Sequence, residues 1–555
     1  MRAQPADPVL IIGGGITGIV AALELLRLGC SVILLDRDTP ERFGGLARES
    51  FGGIFAVDTR LQRLQGIHDD PSVALADWTR FGQMGPADGW AYAWARAYVQ
   101  DCRREVYDWL RAQGVGFLPL PQWPERRGNS VPRWHVVWGT GSRLMECLIN
   151  ALHRQARAPG TQAGRLDLRF GHRVEQLHFE DGRCTGAAGV REDDGTPFAM
   201  HARAVLVATG GITGTLAQIR AHWSPDAPPM PEGLLIGGHP YGDGLLHRAC
   251  ADHGAQLRHL DRMWNYAAGV RHWAPRHEAH GLSLVPARSA LWLDAHGRPF
   301  APPLLAGWDT SEQVERILAS GGYSWQLLNR RIALRELAVS GAEFNPSLRE
   351  RRPLAFAREL LLGNRWLVDT LVRNCPDVLV AATTVELVQG MNALAGTDTP
   401  IDAAALHASL QDFDATRLAP GADQDAQRRS IAQARAWKGD RLRTAGAQAI
   451  LDPAGGPLMA IRARLISRKS LGGIVTDLQG RVLDGRERPL AGLYAAGEAS
   501  GFGGGGMNGR RALEGTFLGG CIYSARRAAQ DIARASRGNG AHAGDAQSRG
   551  GDTAA

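Results

Sequence analysis

Lysine is nearly absent from this chain. Its 555 residues hold 63 Lys and Arg together, of which only Lys438 and Lys469 are lysine. The arginines behind the net charge of +7 are dispersed, and no basic run is interleaved with aromatics. The charge therefore reflects residue usage, and no nucleic-acid partner is expected. The seven cysteines, at 30, 102, 147, 184, 250, 375 and 521, form no C-x-x-C pair, no C-x-x-C-H and no Cys/His spacing suited to zinc. That pattern excludes a motif-borne heme, an iron–sulfur ligand cluster and a zinc site, and it fits a reducing cytoplasm. Long apolar runs are missing as well. The longest, Val9 to Leu26, carries three consecutive glycines and Glu24 and has no basic lead beyond Arg2. It reads neither as a signal peptide nor as a transmembrane segment, so a soluble, cytoplasmic protein is expected.

What is present is organised around residues 8–36, PVLIIGGGITGIVAALELLRLGCSVILLD. This reads as strand, tight glycine turn, helix and second strand, the length of one βαβ unit. Gly13-x-Gly15-x-x-Gly18 provides a sharp turn, a backbone that a pyrophosphate can approach, and close helix packing. The helix aims its N-terminal amides at the phosphates, and Asp36 at the end of the second strand is placed for ribose hydroxyls. A bound dinucleotide follows. A chain of 555 residues also exceeds one ordinary core, so more than one domain is expected.

A second glycine-rich segment, Gly44 to Gly53, follows at once and contains Gly45, Ser50, Gly52 and Gly53. A second close backbone approach points to a larger dinucleotide, FAD. The spacing GGxxxxSxGG after a dinucleotide fold resembles the FAD-binding subunit family of fumarate reductase and succinate dehydrogenase, which includes the ketosteroid dehydrogenases. No histidine lies between Arg37 and Gly53, where succinate dehydrogenases attach flavin, so the resemblance implies noncovalent FAD. Residues 60–157 read as helical, and Leu166 to Val207 as a small β-meander broken by Asp-Gly turns. The run Ala204 to Gly211 resembles the family's ATGG return strand, which implicates Ala208, Thr209 and Gly210. Gly497 and Glu498 form a third flavin-contacting signature, and Gly515 and Thr516 open a final helix expected to end near Ala535. The resemblance therefore implies an α/β fold: a Rossmann-like FAD domain from 1–228 and 457–535, an inserted α+β capping domain at 229–456, and a disordered tail at 536–555.

Departures from the better-known relatives shape the chemistry. Arg511 matches the family's carboxylate-anchoring arginine, Tyr266 and Lys469 fall where fumarate reductases carry histidines, and Trp308 replaces their proton-shuttling arginine. Ketosteroid dehydrogenases place a basic tyrosine near the final helix, where this chain has Arg510-Arg511. Oxidation of a C–C bond needs hydride transfer to the flavin and a base for the adjacent proton, which is acidic only beside a carbonyl or carboxylate. Tyr266, Tyr323 and Lys469 are candidate bases because a cationic neighbour lowers a pKa. Arg511 and the amides of Gly503 to Gly509 are candidate oxyanion stabilisers. Arg133 and His135 could face the flavin, although a structural role in their loop is the better reading. The chain is thus expected to be an FAD-dependent dehydrogenase acting on a ketosteroid-like or other bulky small molecule, with a diffusible, quinone-like electron acceptor. Two alternatives stand beside it: a fumarate/succinate-type dicarboxylate oxidoreductase, and a non-catalytic flavoprotein that passes electrons to a partner.

Overall fold

The computed structural model describes residues 7–158, 165–396, 399–419 and 425–547. Strand β1 (Val9–Ile12) is buried at every position, as an apolar run covered on both faces must be. Helix α1 (Ile16–Arg27) leads to β2 (Val32–Leu35), which lies parallel to β1 with Val9 opposite Val32. A short helix α2 (Gly45–Glu49) follows, tied to the first glycine turn by the Gly44 amide donating to Gly14 O at 3.0 Å.

Strand β3 (Ala204–Val207) flanks β1 on its other side. The sheet order is Leu166–Arg169, β2, β1, β3, Pro489–Ala495, Arg183–Arg191 and His172–Glu180. Leu166–Arg169 was expected to open the meander. It instead extends the parallel sheet beside β2, and antiparallel pairing begins at His172.

A second sheet is built on one long strand. Strand β4 (Met263–Arg271) pairs antiparallel with β5 (Leu458–Ser470), which also takes Tyr323–Asn329 and Val378–Ala381 as antiparallel neighbours. Residues from 457 were expected in the first domain, but β5 belongs to the second sheet along its whole length. The chain leaves the second sheet after Ser470, and Leu471 packs in the core of the first.

Each sheet has its own apolar core, and Trp264 near the start of β4 is buried in the first of them. Tyr266 packs partly buried against the same core, so this end of β4 sits where the two bodies meet. The β4–β5 ladder is irregular there. Trp264 pairs with Lys469 and Asn265 with Ser467, leaving Arg468 as one extra residue on β5. A one-residue bulge re-aims the side chains around it. The final helix α3 (Thr516–Gln547) packs on α1, with Arg526 pairing across to buried Glu24 at 3.4 Å. It runs past the expected end near Ala535, so residues 536–547 are helical. The remainder of the expected tail, 548–555, lies outside the described residues.

Candidate active site

A cavity of about 260 Å³ opens at the carboxyl ends of β1, β2 and β3, where ligands of open α/β sheets bind. Twelve of the residues expected to hold a cofactor line it: Gly13, Gly15, Asp36, Gly45, Ser50, Gly52, Gly53, Ala208, Thr209, Gly210, Glu498 and Gly515. Gly18, Gly497 and Thr516 do not line it and act one layer behind. A Cβ on Gly18 would fall 1.9 Å from the Gly13 carbonyl oxygen, and one on Gly497 2.1 Å from Thr17 Oγ1. Thr516 turns its hydroxyl to Leu513 O at 2.7 Å.

Gly15 is different in kind. A Cβ there would meet no protein atom within 4 Å, so the space beside it is reserved for something other than protein. The N-terminus of α1 has no side-chain cap and no acid in its first turn, which leaves its amides and dipole free for a phosphate. Burial raises the Asp36 carboxyl pKa, and ribose hydroxyls would supply the hydrogen bonds that stabilise its ionised form. The N-terminal turn of α3 also reaches the cavity through Phe517 and Leu518 and contains no acid. Trp134, stacked on Phe51 at 5.6 Å and 16°, forms part of the wall. The residues present fit an extended dinucleotide.

In the wall of the same cavity three ionisable side chains form a hydrogen-bonded row. Tyr266 Oη donates to Glu514 Oε1 at 2.6 Å, and Lys469 Nζ donates to Tyr266 Oη at 3.2 Å. Lys469 also lies 3.9 Å from the Phe517 ring centroid. Burial pushes the Tyr266 phenol well above its ordinary value, and Glu514 adds to the shift. Burial pulls the Lys469 ammonium down to about 8, against the opposing pull of Glu514. Tyr266 was expected to have its pKa lowered by a cation. Desolvation and the adjoining carboxylate outweigh Arg468, so the shift runs upward.

The sequence as a whole matches a model of the FAD binding domain family over residues 8–518. The chain belongs to that family. It is 39% identical over 550 residues to a KsdD-like steroid dehydrogenase of Mycobacterium tuberculosis (strain ATCC 25618 / H37Rv), an alignment covering 94% of this chain and 95% of the relative. Its fold is shared with a 3-ketosteroid-delta4-(5alpha)-dehydrogenase from Rhodococcus jostii RHA1, at a TM-score of 0.62 and 20% identity over 96% of this chain and 98% of that one. It is also shared with a flavocytochrome c3 fumarate reductase, at a TM-score of 0.65 and 19% identity over 96% and 79%. FAD is the cofactor, and the protein is an FAD-dependent dehydrogenase.

Around this FAD cradle the structure corrects several expectations. Arg511 is not among the lining residues; Asp309 at 3.0 Å and Glu315 at 3.1 Å hold it outside the cavity. Tyr323 lies in the second sheet, also away from the lining, donating to Ala295 O at 3.2 Å beneath the Arg462 guanidinium. Of the four expected catalytic residues, the structure brings together Tyr266 and Lys469 and leaves out Arg511 and Tyr323. The amides of the Gly503 to Gly509 loop are consumed internally, for example Gly504 N on Thr476 Oγ1 at 3.1 Å and Gly505 N on Ser500 O at 3.0 Å. These amides hold the shape of the loop. Arg133 is fully buried, bridging Asp69 and Asp77, which is the structural role.

Three features were not read from sequence. Glu514 stands directly before Gly515, in a stretch valued only for its glycine and threonine. Arg468 faces the cavity only because of the bulge. The loop around Gly238, His239 and Tyr241 to Leu246 carries no dinucleotide signature, yet lines the cavity, with His239 3.3 Å from Asp38.

Proposed function

We propose that this FAD-dependent dehydrogenase desaturates a C–C bond adjacent to a ketone in a bulky, ketosteroid-like substrate, with Tyr266, Glu514 and Lys469 handling the proton. The observation that carries the reading is the row Glu514–Tyr266–Lys469 in the wall of the cavity. FAD, held noncovalently by the glycine cradle from residues 1–228 and the return from 471 onward, supplies the hydride acceptor when bound.

The chain's own task is the proton. The C–H bond beside the carbonyl breaks as Tyr266 Oη takes that proton and passes its phenolic proton to Glu514 Oε1. The high phenol pKa means that free tyrosinate is scarce at neutral pH, so a coupled transfer to an adjoining carboxylate is the route that avoids it. Lys469 donates to the same oxygen and stabilises negative charge developing there. Phe517 and Trp134 add apolar wall to the cavity, and a drier site strengthens each of these interactions.

The steroid class rests on the printed identity of the relatives. A dicarboxylate reading loses its anchor, because Arg511 is already bound to two carboxylates. We assign the capping role to the body built on β4 and β5, and reoxidation to a diffusible, quinone-like acceptor. Stoichiometric reoxidation of the reduced protein by a soluble quinone under anaerobic conditions checks the latter. The proton assignment is checked by single-turnover flavin reduction in Glu514→Gln. Slow reduction with full flavin content is expected, and an unchanged rate overturns the relay.

A further inference from the structure

A second cavity, of about 360 Å³, adjoins the first and has Gly45, Leu46, Ser340 and Arg468 as common walls. Its far side is formed by Arg276, His277, His280 and Ser283 from the second body and by Arg48 and Glu49 of α2. No step of the reaction proposed above uses it.

Its charges are unevenly committed. Glu49 pairs with Arg276 at 3.0 Å, and Glu343 with His272 at 3.4 Å and Arg276 at 3.6 Å. Arg349 pairs with Glu350 at 3.0 Å and Arg42 with Asp38 at 3.7 Å. Arg48 donates to the Glu41 carbonyl at 2.9 Å. Arg468 stands apart. Its one hydrogen bond is a long 3.4 Å contact to Ser283 Oγ, and its buried Nε has no partner among the described residues. A guanidinium has no acceptor capacity and five donors in a planar fork, and Glu49 and Glu343 in the same lining are taken by Arg276 and His272, so leaving it without a carboxylate partner is costly unless an anion visits. The bulge at Arg468 brings this fork to the same cavity wall as Lys469, whereas a regular strand would send consecutive side chains to opposite faces.

We propose that the second cavity binds a carboxylate carried by the far end of the substrate, held by the Arg468 fork with Ser283 and Ser340 as further donors. This rests on the dehydrogenase reading, because Arg468 borders both cavities and adjoins Lys469 in the chain, so one elongated molecule would reach from the first into the second. The substrate is then an acidic ketone: its ring carbonyl lies near Lys469 and Tyr266, and its acid lies beyond Arg468. Arg468 is a specificity residue in this account, since it does not touch the reacting carbons.

The test is equilibrium binding to the full-length holoenzyme, read by perturbation of the flavin spectrum. The probes are a 3-oxo steroid with a side-chain carboxylate and its methyl ester. The wild type is expected to prefer the acid by about 10- to 100-fold, the range for a charge-assisted bidentate contact. Arg468→Ala should lose that preference with ester binding unchanged, and Arg468→Lys should keep part of it. Equal binding of acid and ester by the wild type overturns the proposal. So does an Arg468→Ala variant that loses both ligands alike, which would move Arg468 to the ring carbonyl. A steroid-free arm separates this from failure of the steroid reading. Hexanoate, but not hexanol, should raise the melting temperature of wild type and not of Arg468→Ala. Absence of that difference sinks the subsite whatever the steroids do.

Discussion

Gly15 and Gly18 belong to one motif, and the structure gives them opposite jobs that valine substitution separates. Gly15 has φ −74° and ψ −174°, an extended conformation open to any residue, and a Cβ there meets no protein atom within 4 Å. Gly15→Val therefore adds an isopropyl group to a site where only the cofactor's phosphates need room. Apoprotein stability should stay within about 0.5 kcal/mol of wild type, as for a substitution that touches no packed feature. Holoprotein stability should not. At FAD a thousandfold above its Kd the wild type gains about 4 kcal/mol by mass action, and Gly15→Val should gain essentially none. Gly18→Val behaves in reverse: with a Cβ 1.9 Å from the Gly13 carbonyl oxygen, it should disrupt the βαβ unit itself and yield little folded protein. Flavin content after purification, together with melting curves with and without added FAD, reads both. A Gly15→Val protein that purifies with one flavin per chain would refute the reasoning.

Other outcomes follow from the same geometry. Tyr266→Phe keeps the ring and removes the shared oxygen, so single-turnover flavin reduction should slow by about 100- to 10,000-fold with flavin retained. Lys469 is protonated below about 8, and if its charge stabilises the Tyr266 oxygen the reduction rate should be flat below that pH and fall above it. A rate that rises through the same region would make neutral Lys469 the base instead. Arg511→Ala should leave the reduction rate nearly unchanged but, by removing the nearer guanidinium partner of Asp309, which is 1% exposed at its side chain and would keep only Arg127 at 3.6 Å, lower stability by about 1–3 kcal/mol, measurable in urea. Acid or heat should release intact FAD without proteolysis, and flavin that stays on peptide after denaturation would show a covalent link.

The parts of the site legible in the sequence are those whose chemistry is local. Gly13, Gly15, Asp36 and the Gly45 to Gly53 segment lie within a few dozen residues of one another, and strand, turn and helix fix their positions without help from the rest of the chain. Arg511 was misread for the complementary reason. Asp309 and Glu315 reach it from about 200 positions away, and no neighbouring residue announces them. Tyr266 lines the cavity, but its pKa shift is set by burial, with Glu514 adding to it from 248 positions along the chain. Arg468 shows a subtler limit. Alternation along a strand assigns it the face opposite Lys469, and only the unequal count of residues in β4 and β5 reverses that. The assignment of β5 to the second sheet was hidden in the same way, because pairing partners such as Tyr323–Asn329 are set by tertiary contacts.

The most direct test of the central claim is anaerobic mixing of the purified holoenzyme with a 3-oxo steroid while the oxidised flavin absorbance is followed and the product is identified. The account predicts complete bleaching in one turnover, with one equivalent of ring-desaturated ketone formed, and strong slowing in Tyr266→Phe. Flavin that stays oxidised with ketosteroids but is reduced by succinate would contradict it.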